Sequence, residues 1–129
     1  MMAILNLCRT LKRDDKGSST VEFAIISSAF LMMVIGGMYL SMLGYTASSL
    51  HHAVEAAARC QSINTTTCTS ASTTQTYATS RFTNLTGKPA TFVAAAATCG
   101  HKVTGSMTFT INKGTSSLGI PLSATACFP

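Results

Sequence analysis

Lys16-Gly17-Ser18-Ser19-Thr20-Val21-Glu22-Phe23 divides this chain into two stretches of opposite character. Ahead of Gly17 stand Arg9, Lys12, Arg13 and Lys16, diluted by Asp14 and Asp15. After Glu22, residues 23–50 contain no Asp, Glu, Lys or Arg. An uncharged run of about 18 residues or more is long enough to cross a bilayer as a helix. Basic residues beside a span favour the cytoplasmic side, and acidic residues count little in that rule. The pattern predicts a cytoplasmic N-terminus, a span over about residues 21–45, and everything after about residue 50 outside.

Composition agrees with an anchored chain. The 129 residues suffice for one small domain and an anchor. Apolar residues make up 47% and charged residues 10%, against about a quarter charged in an ordinary soluble domain. The formal charge of +5 invites a nucleic-acid reading, but beyond the leader the basic residues Arg59, Arg81, Lys88, Lys102 and Lys113 are scattered. They make no strongly basic patch, and no nucleic-acid partner is expected.

The N-terminus departs from a secretory signal, whose apolar core of about 7–15 residues precedes a small-residue cleavage site. Here the run is longer and follows the basic stretch directly. The boundary resembles the cleavage motif of type IV prepilins, in which a membrane aspartic peptidase cuts after a Gly and the fifth mature residue is a Glu. Gly17 and Ser18 match the cut site, and Glu22 is the fifth residue counted from Ser18. The longer stretch Val21-Glu22-Phe23-Ala24, with Ala53-Val54-Glu55-Ala56-Ala57-Ala58-Arg59 further on, resembles TadE-like proteins, pseudopilins or minor pilins of the tight-adherence (Tad/Flp) pilus. Such spans often carry a Pro early, where this chain reads Ser27-Ser28-Ala29.

The resemblance implies that residues 1–17 are a leader removed by a prepilin peptidase. It implies other pilins and minor pilins, and an inner-membrane assembly platform, as partners. It places the chain in a bacterial inner membrane with its C-terminal domain periplasmic, and then in a pilus. The size of the outer domain fits a minor subunit acting in assembly, initiation or the tip. Glu22 is informative on physical grounds as well. A carboxylate at the edge of a span is costly and reads as functional. After cleavage it would lie one turn from the new amine of Ser18, where negative charge suits a helix N-terminus. Pairing with a neighbour's amine would select register, since either charge alone is expensive in low dielectric.

The fold expected is α+β: a long pilin-like transmembrane helix, then a small disulfide-stapled domain with a short helix and a three-stranded antiparallel sheet. The helix is read over residues 18–60, about 64 Å at 1.5 Å per residue, so its end stands clear of a hydrocarbon core about 30 Å thick. Leu40, Leu43, Ala47, Leu50, Val54 and Ala57 share one face of its outer half, while His51, Glu55 and Arg59 lie on another as i, i+4 neighbours. Gly37, Ser41, Gly44 and Ser48 form a second stripe, of small residues that let membrane helices approach closely. Residues 61–76, rich in Thr and Ser, read as a loop. Residues 77–129 read as the α+β domain. Tyr77, Arg81, Phe82 and Leu85 suggest a short helix, followed by strand-like runs over residues 91–98, 103–112 and 118–128. Pro121 places the last strand near an edge or makes it start later.

Five cysteines are present. Cys8 lies in the leader, and four remain on the side predicted to be outside, where disulfides persist. Four cysteines allow three pairings, or four free buried thiols. Cys60–Cys68 closes a short loop, and Cys99–Cys127 joins the ends of the first and third strands of a meander, so this pairing is favoured.

No catalytic set is apparent. There is no Gly-rich phosphate loop or nucleophile elbow, and Glu22 and Glu55 stand 33 positions apart on one helix. His51 and His52 point to different faces and make no metal pair. No enzyme activity, cofactor or metal is expected. A type II secretion pseudopilin, and an uncleaved single-pass protein with a small disulfide-bonded binding domain, stay open beside the minor-pilin reading.

Overall fold

Residues 18–63 contain no proline and no residue that must leave the helical region, and they form one helix, α1 (Ser18–Ile63). The computed structural model describes residues 18–64, 66–113 and 116–129. The leader, with Cys8 and Gly17, lies outside them, as does the side chain of Ser18. The chain divides into two units, Met1–Leu40 and Ser41–Pro129, and each is described by itself.

In the first unit, every side chain over residues 19–40 is exposed except that of Ser27, which is half-buried. In the second, α1 turns a narrow stripe inward: Leu50, Ala53, Val54, Ala57 and Ala58 are all at most 1% exposed. Their steps of three and one place them on one helical face. Leu43 and Ala47 are half-buried, while Leu40, counted on this face from its spacing, belongs to the first unit and is exposed. The small side chains of the stripe let other elements approach the helix closely. The hydroxyl of buried Thr46 donates to the Met42 carbonyl at 2.8 Å, so burial leaves it satisfied.

The second helix, α2 (Ala71–Arg81), corrects two expectations. It begins inside the stretch of residues 61–76 read as a loop, and it ends four residues before Leu85. Its start is a reciprocal cap: Ser70 Oγ accepts from the Thr73 amide, and Thr73 Oγ1 accepts from the Ser70 amide. Within it, Thr74, Thr76 and Thr79 donate their hydroxyls to carbonyls four residues back. A composition that reads as loop is helical here because its start is capped and buried Thr74 and Ala78 face the core, while its hydroxyls are satisfied on the helix's own carbonyls. The helix stops where Phe82 turns extended, its amide bonding to Ala78 and Thr79. That turn carries the Phe82 ring edge-on to Phe92, with centroids 6.0 Å apart.

Three antiparallel strands follow as a meander in the order β1-β2-β3: β1 (Thr91–Ala97), β2 (Gly100–Lys113) and β3 (Ser116–Phe128). The register sets Phe92 opposite Gly105, Ala94 opposite Val103, and Gly105 opposite Ala124. Alternate residues therefore share one face, and Phe92, Ala94, Val103, Met107 and Ala124 bury it in the same core as the α1 stripe and Ala78 of α2. The other face is polar, with Thr104 and Thr125 joined across β2 and β3. Pro121 lies on the edge strand β3, opposite Thr108, where a missing N–H does least harm to the ladder.

Two disulfides close this unit. Cys60–Cys68 ties the end of α1 to the segment before α2, and Cys99–Cys127 ties the β1–β2 turn to the end of β3, with Cα–Cα distances of 5.8 and 6.2 Å. The core is thin, so the crosslinks count. Replacing either pair by alanines is expected to cost about 2–4 kcal/mol, which lowers the melting temperature by on the order of 10–25 °C for a domain of this size. Thermal melts of the full chain, followed by circular dichroism, check this.

Candidate functional site

The candidate site is the part of α1 that its own chain leaves bare. Phe23, Ile25, Ile26, Phe30, Met32 and Met33 are all more than 60% exposed. The helix is long and apolar enough to cross a membrane, with a mean hydropathy of 2.0 in its most apolar window and none of that window buried. Such a row of large apolar side chains in water would be costly, and lipid or other helices relieve that cost. The polar residues in the row are internally satisfied where their bonds are resolved: Ser28 Oγ donates to the Ile25 carbonyl at 2.8 Å. A donor returned to its own helix brings no unmet hydrogen bond into lipid. The helix is unbroken through Ser27-Ser28-Ala29.

Glu22 is exposed and lies four residues after Ser18, the first residue of α1. It is the only charged side chain of residues 18–50. Gly37, Ser41, Gly44 and Ser48 are all exposed, at helical steps of four, three and four. A Cβ at Gly37 or Gly44 would meet nothing within 4 Å. Open backbone of this kind is what close helix–helix approach requires.

Beyond the span, Arg59 is not used as its spacing to Glu55 suggests. Its guanidinium lies over the Phe128 ring at 5.0 Å, and Arg81 lies over Tyr77 at the same distance. Local spacing gives no signal for the first contact, which spans most of the outer unit in sequence. His51 and His52 are exposed, and among the described residues no group of three or more His, Cys, Asp or Glu is placed to hold a metal.

No curated protein and no solved structure matches the chain. A family model does: residues 17–59, about a third of the chain, match the family described as TadE-like protein. The match begins at Gly17, takes in Glu22 and the whole bare stretch, and stops at Arg59, one residue before the first disulfide cysteine. Over residues 17–59, most of which form α1, the chain is accordingly similar to TadE-like proteins.

Proposed function

We propose that the chain is a minor pilin, or pseudopilin, cut by a prepilin peptidase between Gly17 and Ser18, and that it takes part in assembly, initiation or the tip of a Tad/Flp pilus used in surface adherence. The observation that carries this reading is the TadE-like match lying on a helix whose residues 19–40 have no apolar cover of their own. A subunit held first in the inner membrane and then among other pilin helices needs such a surface. The membrane and the filament would supply equivalent apolar surroundings in turn. Glu22 supplies the one polar element that fixes how far neighbouring helices slide past each other. The outer unit, closed by two disulfides, would fold on the periplasmic side, where those bonds persist.

The test is isolation of the tagged protein from membranes of a cell assembling the pilus. Other pilins and the assembly platform should come with it. Gly37→Leu with Ser41→Leu should reduce the recovered pilins at least ten-fold while the protein stays in the membrane. Recovery of the chain without any pilus subunit would overturn the reading. Unchanged recovery from the double variant would move the contact to another face of the helix.

A further inference from the structure

The outer unit is short of carboxylates. Past the span it carries Arg59, Arg81, Lys88, Lys102 and Lys113 against a single acidic side chain, Glu55. Two of the cations share one place. Arg59 and Arg81 line the same groove, with Cys60, Asn64, Thr67 and Tyr77, between the end of α1, the disulfide-tied segment and α2. Each guanidinium lies over an aromatic ring, and among the described residues neither makes an ion pair. Stacking on a ring restrains the planar fork while its N–H edges stay available. Asn64 adds a third donor: its Oδ1 accepts from Thr66 Oγ1 at 2.7 Å and from the Thr67 amide at 3.2 Å, which leaves the amide N–H groups to donate. The groove therefore offers donors on three sides, and two of its donor groups carry charge.

A second groove adjoins it and shares Thr67 and Tyr77. It is lined by the hydroxyl row of α2. The Thr73 hydroxyl is taken up by the cap, donating to the Ser70 carbonyl and accepting from the Ser70 amide, whereas Thr76 and Ser80 give their protons to the carbonyls of Ser72 and Tyr77. Their oxygens are left to accept. The first groove thus presents charged donors and the second presents neutral acceptors, side by side.

We propose that these adjoining grooves bind an acidic polysaccharide, with a uronate carboxylate between Arg59, Arg81 and Asn64, and the hydroxyls of a neighbouring sugar donating to the Thr76 and Ser80 oxygens. A carboxylate matches the guanidinium fork in the bidentate mode. This unit's own acidic side chain is Glu55 alone, so an anion drawn to the two guanidiniums comes from another molecule. An acidic peptide fits less well, since it brings carboxylates without the hydroxyl donors that the acceptor oxygens of the second groove would receive. The proposal stands apart from the pilus reading, because every residue it uses lies in the outer unit.

The test is calorimetric titration of the full-length protein in detergent with hexagalacturonate at low salt. Binding is expected, at least ten-fold tighter than that of hexaglutamate or inorganic phosphate, and with none to maltohexaose. Arg81→Gln should weaken it at least ten-fold, and Thr76→Val several-fold. Arg59→Gln should do as Arg81→Gln does. Because Arg59 also touches Phe128, the exposed pair Arg81 and Thr76 decides the matter if that variant fails to fold. Absence of hexagalacturonate binding would overturn the proposal. So would equal binding by Arg81→Gln, or hexaglutamate or phosphate binding as tightly as the sugar.

Discussion

Gly17→Ala will leave the purified protein at the mass of the full chain, with Met1 at its N-terminus, whereas the unaltered protein will be lighter by residues 1–17 and begin at Ser18. The expected effect is close to all or none. A peptidase acting at a membrane surface must bring its catalytic carboxylates against the backbone of the bond it cuts. A glycine before that bond allows the closest approach, and an added methyl group would obstruct it. Glu22→Ala separates cutting from assembly. The carboxylate lies one helical turn inside α1, beyond the cut bond, so processing should proceed. Incorporation with other pilins should fall at least ten-fold, because the new amine of Ser18 then lacks its partner in an apolar bundle. Glu22→Gln keeps the shape and removes the charge, so it should fail as the alanine does. Intact mass spectrometry settles the cut, and recovery in sheared pilus fractions settles the assembly. An unaltered protein that retains Met1 would remove the leader from the account and favour an uncleaved anchor.

Legibility in the sequence followed the range of the forces involved. The long helix was readable because its signals are local and redundant: no proline, no charge over residues 23–50, and a stripe at Leu50, Val54 and Ala57. The sheet was readable because Met107, Phe109 and Ile111 alternate, and because a meander brings Cys99 and Cys127 to the same end. The start of α2 was hidden. Its cap is Ser70 with Thr73, where the familiar signature has Glu or Gln at the second position. Its interior is built from threonines of low helix propensity, and the helix is held by its cap and by the burial of Thr74 and Ala78, which composition does not reveal. The grooves were hidden for a different reason. Arg59 meets Phe128, and Arg81 faces the same groove as Arg59, only after the sheet and α2 have been placed. No spacing along the chain encodes a contact of that range. The candidate helix surface was legible because an apolar face with nothing on it is a property of composition. The basic groove is a property of tertiary structure.

Gly100→Ala is expected to damage the outer unit severely, and Gly105→Ala to be far milder. Gly100 opens β2 after the turn at Cys99, with φ +113, a conformation that costs a residue with a side chain about 1–3 kcal/mol. A Cβ there would also fall on the Phe128 carbonyl oxygen and lie 2.6 Å from Pro129 Cα. Those are backbone atoms at the end of β3, so no rotamer change relieves the clash. A total loss of about 3 kcal/mol or more corresponds to a drop on the order of 12 °C or more in melting temperature. At Gly105 the added Cβ would meet Phe92 Cε1 at 2.9 Å and Leu50 Cδ1 at 3.0 Å. Both belong to buried side chains and not to backbone, so the crowding falls on core packing, at a cost of about 1–3 kcal/mol, and alanine gains part of it back over glycine in a strand. A net cost of about 1 kcal/mol follows. The disulfide sharpens the contrast. Cys99 precedes Gly100 and Cys127 precedes Phe128, so the bond holds together the two strand ends that an alanine at position 100 would push apart. Combining Gly100→Ala with alanines at Cys99 and Cys127 should therefore cost less than the sum of the two losses. Strict additivity in full-chain melts would place the strain of Gly100→Ala in the turn itself, away from the end of β3.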